Sequence, residues 1–192
     1  MLDIGGRVVI VLETERLLFR DHAPGDLEGY CAMEADPEVR RFVGGTPRTR
    51  EAAERKFREV YLAPVPDRMG LWATVFKPES RYVGYCGVYG NRTTAGVAAG
   101  EGVIGFYLAR GYWGRGLATE AGRAFVDFGF AELGMSRIIA HVDSRNAASI
   151  HVLEKLGLVR VGSGKAGART IDEFELLRSA WFPSRGPDIA QA

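Results

Sequence analysis

GFYLARGYWGRGLATEA, residues 105–121, places a strand, a tight glycine loop and the start of a helix in direct succession. Gly114 and Gly116 have no Cβ, so the backbone at these two positions can approach a ligand closely. The amides in the first turn of the following helix have no partner within the helix, and the positive end of its dipole lies at the same place. The pattern predicts an anion site suited to a pyrophosphate.

Two other phosphate-binding motifs fit this chain less well. A dinucleotide-binding fingerprint requires a third glycine, but Thr119 stands at that position, and the preceding strand is not the first of a parallel set. The segment GSGK at residues 162–165 has some likeness to a P-loop. There, Val159 stands in place of the first glycine, and Ala166 replaces the required serine or threonine.

Hydrophobic periodicity on both sides of the glycine loop predicts a succession of hairpins followed by a β-α-β unit. This order predicts an α/β fold with a mixed sheet and helices on both faces. In chain order, the predicted elements are strand 14–20, a helix from Asp26, a helix from Thr49, strands 71–76, 82–89 and 103–108, helix 117–128, strand 137–142, helix 146–156, and strands 158–161 and 171–177. Thr49 is the expected N-cap of the second helix, and Ala53, Phe57, Val60 and Tyr61 are expected to lie on one face of it.

Length and composition indicate one ordinary globular domain. The chain has 192 residues, which we assign to a domain over 1–182 and a flexible tail over 183–192. Lys plus Arg number 25 and Asp plus Glu number 24, a balance that argues against a nucleic-acid-binding protein. Cys31 and Cys86 are far apart, and neither a signal-peptide pattern nor a membrane-spanning run is evident, so we expect reduced thiols and a cytoplasmic location.

Four segments together resemble one large family. Ile104–Leu108, Tyr112–Ala121, Asn146–Ser149 and Leu153–Leu158 are similar to the GNAT superfamily of acyl-CoA N-acyltransferases. The closest likeness is to the branch of ribosomal-protein N-terminal (alanine/serine) acetyltransferases, and it extends over most of the chain. The resemblance implies a twisted, mixed and mostly antiparallel sheet whose central strand pair splays apart. It also implies an enzyme that uses acetyl-CoA as acyl donor.

The resemblance also implies which residues bind acetyl-CoA. The pantetheine arm is expected between the splayed strands, on backbone groups of Phe106 and Leu108, with a hydrogen bond from Asn146. A backbone amide near Tyr107 or Leu108 is the expected oxyanion donor. The amides expected to hold the pyrophosphate are those of Trp113, Gly114, Arg115, Gly116, Leu117, Ala118 and Thr119.

The catalytic residues are expected at two places. Many members of the superfamily protonate the leaving thiolate with a tyrosine seven residues after the asparagine, but this chain has Leu153 there. The branch resembled here uses a serine three residues after the asparagine, and Ser149 matches it. A thiol of pKa about 8.5 needs only about 2 kcal/mol of help at pH 7. Glu101 is the candidate general base, acting directly or through a water molecule.

Other ionisable residues leave the assignment of the base open. Asp172 and Glu173, near the last strand pair, are rivals of Glu101. His141 is centred on a buried type of strand and is expected to be a core histidine, whereas His22 and His151 are expected to be exposed. No two histidines have metal-ligand spacing, so we expect no metal.

The resemblance therefore implies acetylation of a primary amine, most readily the α-amine of a protein or peptide. An α-amino group of pKa 7.7 to 8.0 costs about 1 to 1.4 kcal/mol to deprotonate at pH 7, whereas a lysine costs about 4.6 kcal/mol. Small-molecule amines (an antibiotic, a polyamine or an amino acid) are the alternative acceptors. A non-catalytic acyl-CoA-binding sensor is a further alternative. An edge strand, or the helix pair near Phe57, offers a surface for a homodimer.

Overall fold

The computed structural model describes residues 9–63, 65, 68–93 and 96–182, so the tail predicted over 183–192 lies outside the described residues. Eight strands form a single sheet in the order β1-β2-β3-β4-β5-β6-β8-β7. The strands are β1 (Ile10–Glu13), β2 (Leu17–Arg20), β3 (Trp72–Phe76), β4 (Arg81–Thr93), β5 (Gly96–Leu108), β6 (Arg137–Asp143), β7 (Val159–Ala166) and β8 (Arg169–Leu177). The main helices are α1 (Leu27–Ala35), α2 (Pro37–Arg40), α3 (Arg50–Lys56), α4 (Leu117–Ala131) and α5 (Ala147–Lys155).

The sheet is mixed and mostly antiparallel, as expected. Only β5 and β6 run parallel to each other, and all other neighbouring strands are antiparallel. Helices cover both faces, which follows from two separate clusters of buried side chains. One cluster joins the sheet to α4 and α5, and the other joins α1 and α3 to Tyr85 and Tyr107.

Helix α4 shows why the segment after the glycine loop is helical. Leu117, Ala121, Phe125 and Phe128 recur at helical spacing, and all four are buried against the sheet. The opposite face carries polar residues such as Arg123 and is solvated. Burial of this stripe fixes the first turn of α4, and with it the glycine loop, against the ends of the central strands.

The hairpin formed by β4 and β5 is longer than predicted. The predicted strands ended at Tyr89 and began again at Val103, but pairing continues through Gly90 with Gly102 and Arg92 with Val97. This stretch is rich in Gly, Ala and Thr and shows no hydrophobic alternation. Its strand character comes from cross-strand backbone hydrogen bonds, which a sequence pattern does not report.

The end of the helix that contains α3 departs from regular geometry. Residues Phe57–Tyr61 form a π-helical turn, in which the Leu62 amide bonds to the Phe57 carbonyl at 3.0 Å. A π turn accommodates one extra residue, so it rotates the following side chains around the axis. Ala53, Phe57 and Tyr61 are buried as predicted, but the prediction for Val60 was wrong, because its side chain is 55% exposed.

The cluster beneath α1 and α3 is aromatic and encloses a histidine. His22 was expected to be exposed, but only 9% of it is accessible, and its ring lies 4.8 Å from that of Tyr61 and 5.7 Å from that of Phe57. Its Nε2 atom is 3.0 Å from the Leu71 carbonyl oxygen. Burial lowers the pKa of His22 to about 4, so the ring is neutral at pH 7.

No helix within the described part of the chain is long and apolar enough to cross a bilayer. Cys31 and Cys86 are both buried and unpaired. Among the side chains that the structure describes, no group of three His, Cys, Asp or Glu residues could hold a metal ion.

Candidate active site

The two parallel strands in the middle of the sheet separate after a short paired stretch. β5 and β6 pair only where residues 101–103 face residues 137–139. β5 then follows β4 as far as Leu108, while β6 follows β8 as far as Asp143. Backbone groups of β5 that face the gap are therefore available to an extended ligand, as at a sheet edge. A cavity of about 520 Å³ occupies this gap.

The cavity crosses the sheet from one face to the other. Side chains alternate between the two faces of a strand. Ile138, Ala140 and Val142 of β6 pack with α4 and α5, so His141 points to the face covered by α1 to α3. On β5, Tyr107 joins the aromatic cluster on that same face, and both Tyr107 and His141 line the cavity.

The half of the cavity toward α4 and α5 holds most of the residues expected to bind acetyl-CoA. Tyr107 also lines the cavity, from the other face. The expected residues that the structure brings together here are Phe106, Leu108, Trp113, Gly114, Gly116, Leu117, Ala118, Thr119, Asn146 and Ser149.

The start of α4 has the properties of an anion site. Gly114 and Gly116 adopt left-handed φ values of 71° and 77°, which suit glycine and curl the loop around the helix terminus. Gly116 immediately precedes the helix and has no side chain to cap the amides of the first turn. Leu117, Ala118 and Thr119 line the cavity at the positive end of a 15-residue helix, where the first amides have no partner within the helix. This arrangement fits a pyrophosphate.

Two side chains of the glycine loop anchor it from behind. Trp113 donates from Nε1 to the Leu108 carbonyl at 2.7 Å, which ties the loop to the end of β5. The Arg115 guanidinium lies over the rings of Phe76 and Tyr112, at 4.5 and 5.2 Å from their centroids. Arg115 is absent from the cavity wall, so its side chain supports the loop, and only its backbone is available for the predicted pyrophosphate contact.

An ion pair connects the glycine loop to the N-terminal strands. The Glu120 carboxylate, in the first turn of α4, accepts from Arg16 Nε at 2.6 Å and from Thr14 Oγ1 at 2.6 Å. Arg16 also donates from Nη1 to the Arg115 carbonyl at 2.9 Å. A carboxylate this close to a phosphate site would repel the ligand, so the Arg16 cation both offsets that charge and fixes the loop.

Replacing Arg16 by methionine is expected to weaken CoA binding about tenfold, which corresponds to about 1.4 kcal/mol. The reason is that the Glu120 carboxylate then lacks its cation beside the phosphates. Titration calorimetry with CoA measures the effect without an amine acceptor. Arg20→Met is the matched control, because Arg20 is a nearby arginine at the far end of β2 that pairs instead with Asp26 at 2.7 Å.

The charge explanation has a second test in the double variant. Adding Glu120→Gln to Arg16→Met is expected to recover part of the lost affinity, because it removes the unbalanced carboxylate. An Arg16→Met affinity within twofold of wild type, or a loss equal to that of Arg20→Met, would contradict the role given to this pair.

The start of α5 holds the asparagine and the serine side by side. Asn146 precedes the helix and accepts a hydrogen bond from the Ser149 amide at 3.2 Å through its side-chain oxygen. Asn146 thus caps α5, and its amide NH₂ is not used in this bond. Both residues line the cavity. Leu153, one turn further along, is 2% exposed and belongs to the core.

The structure does not bring Glu101 to the cavity. Glu101 lies at the paired end of β5, opposite Arg137, and the cavity begins beyond that end. Its carboxylate is 2.9 Å from the Arg137 guanidinium. Asp172, one of its two rivals, is also absent from the cavity wall, and it is buried and paired with Arg160 at 2.8 Å.

The opposite face of the sheet contributes a separate half of the cavity. The residues that line it from α2 and the turn after α2 are Glu38, Val39, Phe42 and Val43. Arg169, at the start of β8, donates to the Phe42 carbonyl at 3.3 Å and holds this turn over the sheet. We call this half the acceptor side, and the half toward α4 and α5 the donor side.

His141, like His22, has a different environment from the one predicted from the sequence. It was expected in the core, but its side chain is 46% exposed, with Nε2 4.0 Å from Glu173 Oε2. Strand β6 is buried through Ile138, Ala140 and Val142, and the residue between the last two points the other way. The alternation of side chains along β6 could be predicted from the sequence, whereas the cavity on the other face of the sheet could not.

Comparison with known proteins agrees with this architecture. The acetyltransferase (GNAT) domain matches the chain over residues 16–159. N-acetyltransferase p20 of Bacillus licheniformis is 30% identical over 174 residues, which cover 87% of this chain and 96% of that protein. The structure of a GNAT-family acetyltransferase from Bacillus anthracis matches with a TM-score of 0.76 at 23% sequence identity. The match covers 88% of this chain and 98% of that protein's chain.

A third protein resembles this one in fold. The structure of spermidine N-acetyltransferase from Vibrio cholerae, in complex with CoA and spermine, matches with a TM-score of 0.69 at 16% sequence identity. The match covers 87% of this chain and 98% of that protein's chain. The domain match spans most of the sequence, and the anion site and splayed strands are those that the family resemblance implies. The chain therefore belongs to the GNAT family and is an acetyl-CoA-dependent acetyltransferase.

Proposed function

We propose that this enzyme acetylates the α-amine of a protein or peptide. The observation that carries the proposal is the cavity that crosses the sheet between β5 and β6. Acetyl-CoA, which supplies an activated acetyl group, would lie along the donor side with its phosphates at α4. An amine then approaches from the acceptor side, between α2 and Tyr107, and meets the acetyl group in the gap.

The protein groups at the gap suit acyl transfer. A backbone amide of β5 near Tyr107 or Leu108 can stabilise negative charge on the acetyl oxygen. Burial raises the pKa of the Tyr107 phenol, so its hydroxyl stays protonated. Ser149 and Asn146 line the donor side. In this proposal Ser149 donates a hydrogen bond to the departing sulfur, and Asn146 binds the pantetheine amide.

The energetics of deprotonation favour an α-amine over a lysine side chain. At pH 7 an α-ammonium costs about 1 to 1.4 kcal/mol to deprotonate, against about 4.6 kcal/mol for a lysine. The carboxylates that line the cavity are engaged by arginines, as for Asp143 with Arg145 and Glu38 with Arg41. A site without a strong dedicated carboxylate base serves the less basic amine better.

A small cationic amine is the second candidate acceptor. Glu38 lines the acceptor side and Glu173 lies beside His141, outside the cavity wall; both carboxylates are partly exposed and would attract a polycation. The likeness to the Vibrio cholerae spermidine acetyltransferase fits this alternative, although at 16% identity it concerns the fold alone.

Acetyl-CoA consumption, read by release of free thiol, tests the two candidates on matched acceptors. Five acceptors are compared. Three are forms of one peptide, with a free N-terminus, with an acetylated N-terminus, and with an acetylated N-terminus plus an internal lysine; the other two are spermidine and an amino acid. We expect turnover only with the free N-terminus. Turnover confined to spermidine or the amino acid would replace the proposal by the second candidate.

A further inference from the structure

We infer that His141 is the general base of this acetyltransferase: it takes the proton from the ammonium group of the acceptor. The inference rests on the proposed function, since it needs an amine to enter from the acceptor side. It assigns this role to a histidine in place of Glu101, the carboxylate expected from the sequence.

Position is the first argument. His141 lies on β6, on the strand edge that faces the gap, and its side chain reaches the acceptor side of the cavity. The acetyl group is expected at the same gap, against the end of β5. An imidazole there can contact an incoming amine directly or through one water molecule, which is the reach that a general base needs.

The other ionisable groups of the cavity are less suitable. The Arg145 guanidinium, which hydrogen-bonds Asp143 at 2.8 Å, lowers the pKa of that carboxyl to about 2, so Asp143 holds protons poorly. The Glu38 carboxylate is 3.6 Å from the Arg41 guanidinium. His151 and Lys155 extend from α5, on the donor side.

Glu173 supplies the second element of the arrangement. Its Oε2 atom is 4.0 Å from Nε2 of His141, and both side chains are close to half exposed. A carboxylate at this distance stabilises the imidazolium that forms when the ring accepts a proton. Glu173 from β8 lies beside His141, and the other ionisable groups that line the same cavity are Tyr107 from β5, Glu38 from α2, His151 and Lys155 from α5, and Asp143 on the same strand as His141.

The protons balance with His141 in this role. The acceptor ammonium gives its first proton to the imidazole, which later releases it to solvent. The free lone pair forms the C–N bond to the acetyl carbon, and the C–S bond breaks with its electron pair on sulfur. The second amine proton neutralises the thiolate, with the Ser149 hydroxyl within the cavity to assist.

The test compares His141→Gln with Lys165→Gln, using the amine that the wild-type enzyme acetylates best. Lys165 is the control, because it is an exposed polar residue of the same sheet, on β7, and is absent from the cavity wall. We expect His141→Gln to lower kcat/KM about 100-fold at pH 7 and to leave only the rise of kcat/KM with pH that comes from deprotonation of the amine itself, near pH 7.7 to 8.0 for an α-amine. The affinity for CoA should stay within twofold, which also shows that the variant is folded.

Two further measurements separate a base from a merely structural residue. Added imidazole should restore part of the activity of His141→Ala, and Glu173→Gln should give a smaller loss than His141→Gln. A His141→Gln rate within threefold of wild type, an unchanged pH profile, or equal losses in His141→Gln and Lys165→Gln would overturn the inference. The wild-type rate tests the proposed function, and the ratio of variant to wild type tests this inference.

Discussion

Replacing Glu34 by alanine is expected to lower the free energy of unfolding by about 3 to 5 kcal/mol. Glu34 lies in α1 and is 1% exposed. Its Oε2 atom is 2.7 Å from Arg48 Nε and 3.2 Å from Arg40 Nη1, and Oε1 accepts from the Tyr85 hydroxyl at 3.1 Å. Arg40 is itself 5% exposed, so removal of Glu34 leaves a buried cation without its partner.

The same network shapes the acceptor side of the cavity. Arg40 is the last residue of α2, and its Nε donates to the Thr46 carbonyl at 3.2 Å across the following turn. That turn carries Phe42 and Val43, which line the cavity. Where Glu34→Ala remains folded, we therefore expect the KM for the amine to rise while the affinity for CoA is preserved.

Urea unfolding followed by circular dichroism measures the change in stability. Glu28→Gln is the matched control, since Glu28 also lies in α1 and pairs with an arginine, Arg50, but at the surface. Its denaturation midpoint should match that of wild type, because exposed ion pairs contribute little. A loss below about 1 kcal/mol for Glu34→Ala would show that Arg40 finds another partner or reaches water.

Replacing Ser149 by alanine is expected to lower kcat about 30-fold, which corresponds to the roughly 2 kcal/mol that a departing thiolate requires at pH 7. The hydroxyl of Ser149 lines the donor side, and Leu153 leaves no tyrosine one turn away to replace it. Alanine keeps the backbone amide that Asn146 accepts from, so the cap of α5 survives. The affinity for CoA should therefore change little.

Steady-state kinetics at saturating amine, with CoA titration calorimetry, checks this expectation. Ser144→Ala serves as control, since Ser144 is exposed in the turn before α5 and is absent from the cavity wall. It should retain the wild-type kcat. If Ser149→Ala also retained it, solvent would be the proton donor, and Ser149 would serve only to shape the start of α5.

Local patterns in the sequence were sufficient for the donor side. Gly114 and Gly116 specify a left-handed loop, and the apolar stripe from Leu117 onward specifies the helix that follows it. Both effects act within a few residues, so the anion site could be predicted without knowledge of the rest of the chain. The cap at Asn146 is local in the same sense, because it joins residues three positions apart.

The acceptor side was decided by tertiary structure. Glu101 and His141 both lie on central strands, and no local pattern tells which end of a strand borders a cavity. The gap exists because β5 and β6 follow different partners, β4 and β8, after three paired residues. This divergence brings His141 to the cavity wall and leaves Glu101 at the paired end. It depends on pairing between residues far apart in the chain. The sequence by itself therefore determined the family, the fold class and the glycine loop before α4, while only the tertiary structure decided which ionisable groups line the acceptor side of the cavity.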